Sequence, residues 1–177
     1  NMINDRITLA LAHSERNQQS FALLFLDMDD FKSVNDALGH AVGDELLKEV
    51  AKRLTGLLRG EDSVARIGGD EFVILLTGLK DDNYSTRLAE RIISALKPVF
   101  KIDAHEIYSS FSIGIALYPN DGKDVETLFK CADTAMYRAK AQGKNSYFVH
   151  DPEMLSMAQS RLEMKTLIGR SLENDNC

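Results

Sequence analysis

Acidic side chains in two places are spaced for metal-assisted phosphate chemistry. In Arg66-Ile67-Gly68-Gly69-Asp70-Glu71-Phe72, two glycines lie between the apolar runs Ser63-Val64-Ala65 and Val73-Ile74-Leu75-Leu76. Glycine takes positive φ without steric cost, so the spacing predicts a tight hairpin with branched apolar strands on either side. Two adjacent carboxylates then stand at or just past the turn, where they repel one another unless a cation neutralises them. That pattern suits Mg²⁺ and, through it, phosphate. A second acidic group, Asp27-Met28-Asp29-Asp30, ends the apolar run Phe21 to Leu26. If the two strands are neighbours, Asp27, Asp70 and Glu71 converge as a two-metal phosphoryl-transfer site requires. Donors follow at once. Phe31-Lys32 starts a short helix whose free N–H groups and one ammonium could hold a triphosphate. Lys140 and Lys144, four apart at the end of a long helix, add two more cations; helix-end cations also simply complement the dipole.

The elements that must position these groups follow from hydrophobic periodicity. Met2 to Asn17 reads as a helix, and Phe21 to Leu26 as a strand buried on both faces. Phe31 to Leu38 reads as a short helix, with Gly39 to Asp44 as a connection. Leu47, Val50, Ala51, Leu54, Leu57 and Leu58 stripe a strong helix, with Gly60 as its C-terminal cap. After the hairpin and a loop at Asp81-Asp82-Asn83, Leu88, Ile92, Ile93 and Leu96 stripe another helix that stops near Pro98. Phe111, Ile113, Ile115 and Leu117 alternate as a strand with one larger-residue face. Val125 to Ala139 stripes a long helix ending at Gly143, and Ser146 to Val149 makes a short last strand. This order gives an α/β (α+β) sandwich around a largely antiparallel sheet.

Bulk composition narrows the classes. At 177 residues the chain holds one domain with a proper core plus an appendage. Hydrophobic residues at 44% and charged residues at 27% are ordinary for a soluble globular protein. A net charge of −6 argues against a nucleic-acid-coating surface but leaves room for a local basic pocket. Cys131 and Cys177 supply no disulfide framework and no metal spacing, and Cys131 reads as a small buried hydrophobe. No run is long enough to span a bilayer and no signal peptide is visible, so the chain reads as cytoplasmic, without membrane contact of its own. Asn1-Met2 and Cys177 look like cuts in a longer protein, whose other parts are free to carry a membrane anchor.

The seven-residue hairpin string resembles the signature of the GGDEF family, the diguanylate cyclases. Two further stretches resemble that family's motifs: Asn35-Asp36-Ala37-Leu38-Gly39-His40-Ala41-Val42-Gly43-Asp44, and Ala132 to Asn145. The resemblance covers residues 1–150 and implies a palm-like nucleotide cyclase fold. It implies an Mg²⁺ (or Mn²⁺) site made of Asp27, the Met28 carbonyl, Asp70 and Glu71, with Asp70 also assisting removal of the attacking proton. It implies that Lys32 steadies charge on the phosphates, that Lys140 and Lys144 bind the β- and γ-phosphates, and that Phe31 lies at the substrate. Lys144 stands where the family more often has arginine, so charge is kept and bidentate contact is lost. Guanine recognition falls to Asn35 and Asp44, with His40 lining the pocket. A carboxylate plus an amide matches guanine's donors and acceptors and leaves adenine unmatched. Arg59 and Asp62, taken alone a surface salt bridge, match the family's inhibitory product site, and Arg91 matches its secondary arginine.

The expected activity is condensation of two GTP into cyclic di-GMP with release of two pyrophosphates, subject to product inhibition. The alternative is a catalytically silent GTP- or cyclic di-GMP-binding domain that regulates an attached phosphodiesterase. A template-dependent palm nucleotidyl transferase is disfavoured by the acidic surface. Each chain carries one triphosphate site, so the reaction calls for a transient homodimer. Residues 151–177 read as a helix and linker towards a following domain, and Ser160 to Glu173 resembles the start of an EAL phosphodiesterase domain.

Overall fold

The computed structural model describes residues 2–81 and 83–151; the expected tail helix and EAL-like segment lie outside the described residues. Helix α1 (Met2–Asn17) leads into β1 (Ser20–Met28), then α2 (Phe31–Leu38) and α3 (His40–Thr55). The hairpin is β2 (Ser63–Gly68) and β3 (Glu71–Leu79), followed by α4 (Tyr84–Leu96). A small hairpin, β4 (Phe100–Ile102) and β5 (His105–Ile107), precedes β6 (Phe111–Tyr118), α5 (Val125–Ala141) and β7 (Ser146–Val149).

The main sheet runs β2-β3-β1-β6-β7, antiparallel except for the parallel β6–β7 pair. Strand β1 occupies its centre, which is why Phe21 to Leu26 is an unbroken apolar run: both faces are covered. Alternate residues divide between two cores. Ala22, Leu24, Leu26, Phe72, Ile74, Ile113 and Ile115 join Leu46, Val50, Leu88 and Ile92 of α3 and α4 on one face. Phe21, Leu23, Phe25, Val73 and Leu75 join Ile3 and Ile7 of α1 and Leu128, Ala132 and Met136 of α5 on the other. Each fully buried Leu, Ile or Phe is worth about 1.5–3 kcal/mol against exposure, so the two faces together fix the register of β1.

Four expectations need correction. The helix expected to run to Gly60 stops at Thr55, with Gly56 at its C-cap bonded back to Lys52. Leu57 and Leu58 still pack on the core, but from a turn, so an apolar stripe overstated the helix. At its other end α3 begins at His40, and Asp44 is helical rather than in a connection. The long helix ends at Ala141, leaving Lys144 in a loop at φ 64° instead of one turn beyond Lys140. The β4–β5 hairpin has no counterpart in the sequence reading, because strands of three residues leave no readable alternation.

Strand β6 is buried on both sides, and Gly114 explains how α5 comes so close to it. A Cβ at this position would collide with the Ala132 carbonyl and the Met136 N–H, and would stand 2.9 Å from the Met136 Cα. Backbone atoms cannot step aside as side chains do. Gly114→Ala is therefore expected to cost about 3 kcal/mol, at the upper end for overpacking. Urea unfolding checks it; an unchanged midpoint would mean that α5 can slide off β6 at little cost.

Candidate active site

The site is built where β1 ends and β3 and β6 begin. Register pairs Asp27 with Glu71 across β1–β3 and with Ser112 across β1–β6. The Met28 N–H donates to the Asp70 carbonyl at 3.3 Å, tying the end of β1 to the hairpin turn. The expected convergence thus has a direct cause: the central strand ends at the edge where its antiparallel neighbour begins. The Asp70 carboxyl is close enough to Asp27 to act on its ionisation, and Lys140 Nζ reaches Asp27 Oδ2 at 3.4 Å.

These contacts set the electrostatics. Burial, then the hydrogen bond and negative charge of Asp70, push the Asp27 carboxyl up to about 7, with Lys140 opposing. Glu71 is also raised, first by burial and then by the charges of Asp70 and Asp133. Among the described residues, no three acidic, histidine or cysteine side chains are arranged to hold a metal ion as they stand. The donor set nonetheless fits one. Burial and neighbouring negative charge penalise the ionised forms of Asp27 and Glu71, a penalty a bound cation would relieve, and hard carboxylate oxygens are the ligands Mg²⁺ or Mn²⁺ prefers.

The raised Asp27 carboxyl has a consequence of definite sign. An unfolded aspartate releases its proton near the ordinary value of 3.8, whereas folded Asp27 keeps it to about 7. Between those values the folded state binds more protons, so stability falls as pH rises, by at most about 1.4 kcal/mol per pH unit for one group. Without divalent cations, the thermal midpoint is expected to drop from about pH 5.5 to about pH 8, and to drop less in Asp27→Asn. Identical slopes for parent and variant would show that Asp27 does not hold the proton.

Of the cations expected to meet phosphate, Lys32 and Lys140 lie on α2 and α5, and Lys144 is carried by a loop. Asp30 occupies the N-cap of α2 at φ 58° but makes no side-chain cap hydrogen bond. Its carboxylate instead pairs with Lys144 Nζ at 2.9 Å, leaving the first-turn N–H groups without a side-chain cap. Phe31 and Lys32 open α2, with Lys32 exposed.

The residues expected to recognise the base lie on either side of the α2–α3 turn, Asn35 on α2 and Asp44 on α3. Asn35 Oδ1 is buried and lacks a hydrogen-bond partner. Gly43 permits this approach, since a Cβ there would overlap Asn35 Oδ1 and come within 3.2 Å of Phe31. Asp44 lines a concavity of about 370 Å³ with Lys48, Arg66 and Phe72, connecting α3 to the hairpin. His40 begins α3 and is exposed.

Arg59 and Asp62 form more than a surface pair. Arg59 Nε and Nη2 donate to the two Asp62 carboxylate oxygens at 3.1 and 3.0 Å, and the Asp62 side chain is fully buried. Arg59 also donates to the Thr77 carbonyl, pairs with Glu61 and stacks over Tyr84. Its surroundings form a concavity of about 520 Å³ that includes Lys80 and Arg87. Arg91 lines a neighbouring concavity, and Arg87 lines both. Arg87 is not among the residues the sequence singles out. Its only signal is its place one helical turn before Arg91.

The comparisons with known proteins agree with this geometry. The profile of the GGDEF family (diguanylate cyclase, GGDEF domain) matches residues 1–146. MucR of Pseudomonas aeruginosa, a bifunctional diguanylate cyclase/cyclic di-GMP phosphodiesterase, is 42% identical over 172 residues, 97% of this chain and 25% of MucR. PdeR of Escherichia coli, a cyclic di-GMP phosphodiesterase, is 38% identical over 175 residues, 99% of this chain and 26% of PdeR. The crystal structure of the GGDEF domain of TpbB (YfiN) from P. aeruginosa superposes with a TM-score of 0.83 at 39% identity, covering 85% of this chain and 94% of that one. The chain spans about a quarter of the length of MucR and PdeR. Among the described residues no helix is long and apolar enough to cross a membrane. With its family profile, its relatives and its palm-like fold in agreement, the chain belongs to the GGDEF family of diguanylate cyclase domains.

Proposed function

We propose that the domain condenses two GTP into cyclic di-GMP. The observation that carries this reading is the Asp27–Asp70 carboxyl pair beside Glu71 and Lys140, in a chain of the GGDEF family. Each 3′-hydroxyl attacks the α-phosphorus of the opposed GTP, the new P–O bond replaces the one to pyrophosphate, and the hydroxyl proton leaves. Asp27, the Met28 carbonyl, Asp70 and Glu71 would hold Mg²⁺ or Mn²⁺, which supplies Lewis-acid activation of the hydroxyl and neutralises phosphate charge. Asp70 assists proton removal. Lys32, Lys140, Lys144 and the N–H groups at Phe31 bind the triphosphate, and Lys140 must exchange Asp27 for phosphate as substrate enters. Asn35 and Asp44 recognise guanine, and the unpaired Asn35 Oδ1 supports this because a buried acceptor without a donor is costly. Incubating the purified chain with GTP and Mg²⁺ and separating the nucleotides tests the reading. Cyclic di-GMP is the expected product, and GTP recovered unchanged would overturn it.

PdeR gives a specific reason to weigh a silent regulatory domain, since a protein named for hydrolysis matches nearly the whole of this chain. In that case GTP or cyclic di-GMP binds without turnover, and calorimetry on the same preparation separates the two readings.

Product inhibition is proposed at Arg59, with Asp62, Arg91 and Arg87 around it. The guanidinium is heavily engaged, so a bound product has to displace Glu61 or Tyr84. Arg59→Ala is expected to abolish cyclic di-GMP binding here and raise the final product yield without changing the initial rate. Because it strips Asp62 of its main partner, it also costs about 2 kcal/mol of stability. Calorimetry with cyclic di-GMP checks the binding, and equal affinity in parent and variant would reduce Arg59 and Asp62 to a structural pair.

A further inference from the structure

Asp29 is an acid of the β1 terminus that the proposed chemistry leaves unused, and at 5% exposure it is more deeply buried than Asp27 and Asp30 on either side. Its carboxylate accepts from Ser112 Oγ at 2.7 Å on one oxygen, and from Ser110 Oγ at 2.6 Å and the Asn145 N–H at 3.1 Å on the other. Lys140 Nζ stands 3.8 Å from the oxygen that Ser112 holds. The Asp29 N–H donates to the Ser110 carbonyl at 2.9 Å. One side chain therefore joins the end of β1, the start of β6 and the loop that leaves α5.

That loop is where the tie matters. Gly143, Lys144 and Asn145 have φ of 112°, 64° and 47°, three successive residues in the left-handed region. Such conformations are unfavourable for lysine and tolerated by asparagine, so the backbone persists only if its surroundings hold it. The Lys144 N–H closes on the Ala139 carbonyl at 3.0 Å, and Asp29 takes the N–H of the following residue, Asn145. The result brings Lys144 Nζ back to Asp30 and keeps it on the same side of the site as Lys140. A buried carboxylate is an expensive tie compared with an apolar contact, unless its charge and fixed acceptor geometry are needed.

We propose that Asp29 is a positioning residue for triphosphate binding: it fixes the 143–145 loop and thereby the Lys140–Lys144 cation pair that receives the β- and γ-phosphates. The inference rests on the GTP reading above and adds to it a residue that does not touch substrate.

The test uses the 177-residue chain, with 3′-deoxy-GTP and 3′-deoxy-GMP as probes. Neither has the attacking hydroxyl, so binding is read by calorimetry without turnover. Asp29→Asn keeps the volume but removes the charge and one acceptor. It is expected to weaken 3′-deoxy-GTP about tenfold or more, the scale of one charge-assisted contact, and 3′-deoxy-GMP by less than about twofold. Introduced into Lys144→Ala, the same change is expected to add less than about twofold, because residues acting through one another are not additive. A residue that merely supports the fold would weaken both nucleotides alike and add in full, and either result overturns the proposal, as does unchanged affinity for 3′-deoxy-GTP. If Asp29→Asn fails to fold by circular dichroism, Ser110→Ala, which removes one donor to the oxygen facing Asn145, decides by the same comparison. A parent chain that binds neither probe overturns the GTP reading itself, an outcome distinct from failure of the Asp29 inference.

Discussion

Asp70→Asn and, separately, Glu71→Gln are expected to lower the rate of cyclic di-GMP formation by about 100-fold or more, a barrier increase of about 3 kcal/mol, while the fold stays intact. Each variant removes charge and keeps volume. The amide introduced by Asp70→Asn can still hydrogen-bond to Asp27, so nothing in the packing of β1 against β3 is lost. Relief of the Asp27–Asp70 repulsion keeps the thermal midpoint at neutral pH at least as high as the parent's. The two effects therefore move apart, activity falling while stability does not. That separation distinguishes a functional acid from a structural one. Initial rates measured by nucleotide separation, beside thermal melts on the same samples, provide the check. Production at the parent's rate by both variants would remove the metal-site assignment.

Specific activity of the isolated chain is expected to rise with its own concentration, falling by up to about tenfold for each tenfold dilution when the chain is mostly monomeric. The reason is chemical. The Asp70–Glu71 hairpin, the Lys140–Lys144 pair and the Asn35–Asp44 pair each occur once in the sequence, whereas the product needs two GTP joined reciprocally. On the proposed reaction, two sites are expected to face one another about a two-fold axis. Among the described residues, the helices carry no sustained heptad repeat that would hold two chains together. A parallel coiled coil fused ahead of Asn1 raises the local concentration of partners and restores activity at low protein concentration. A flat specific activity across a wide dilution series, with a monomer mass throughout, would mean that one chain suffices.

Much of the molecule was legible because it is local. The Phe21–Leu26 run announces a strand covered on both faces, and it is the central strand of the sheet. Gly68-Gly69 announces the hairpin turn, and the stripes on α3, α4 and α5 name the helix faces that are buried. Leu57 and Leu58 mark the limit of that approach. An apolar side chain reports that it is buried, not the backbone conformation from which it is buried.

The sequence by itself determined the order of the longer elements, the apolar faces and the residue types that carry charge to the site, since all of these depend on neighbours within a few positions. Tertiary structure decided which charges meet. It set Asp27 opposite Glu71 and against Asp70, and carried Lys144 out of the helix and back to Asp30. It left Arg91 and Arg59 on adjoining concavities, and turned Asp29 inward onto two serines and the Asn145 N–H. Periodicity fixes the face on which a side chain lies. The distance between two oxygens on strands far apart in sequence is fixed by sheet register and loop path, and those depend on packing the two cores together.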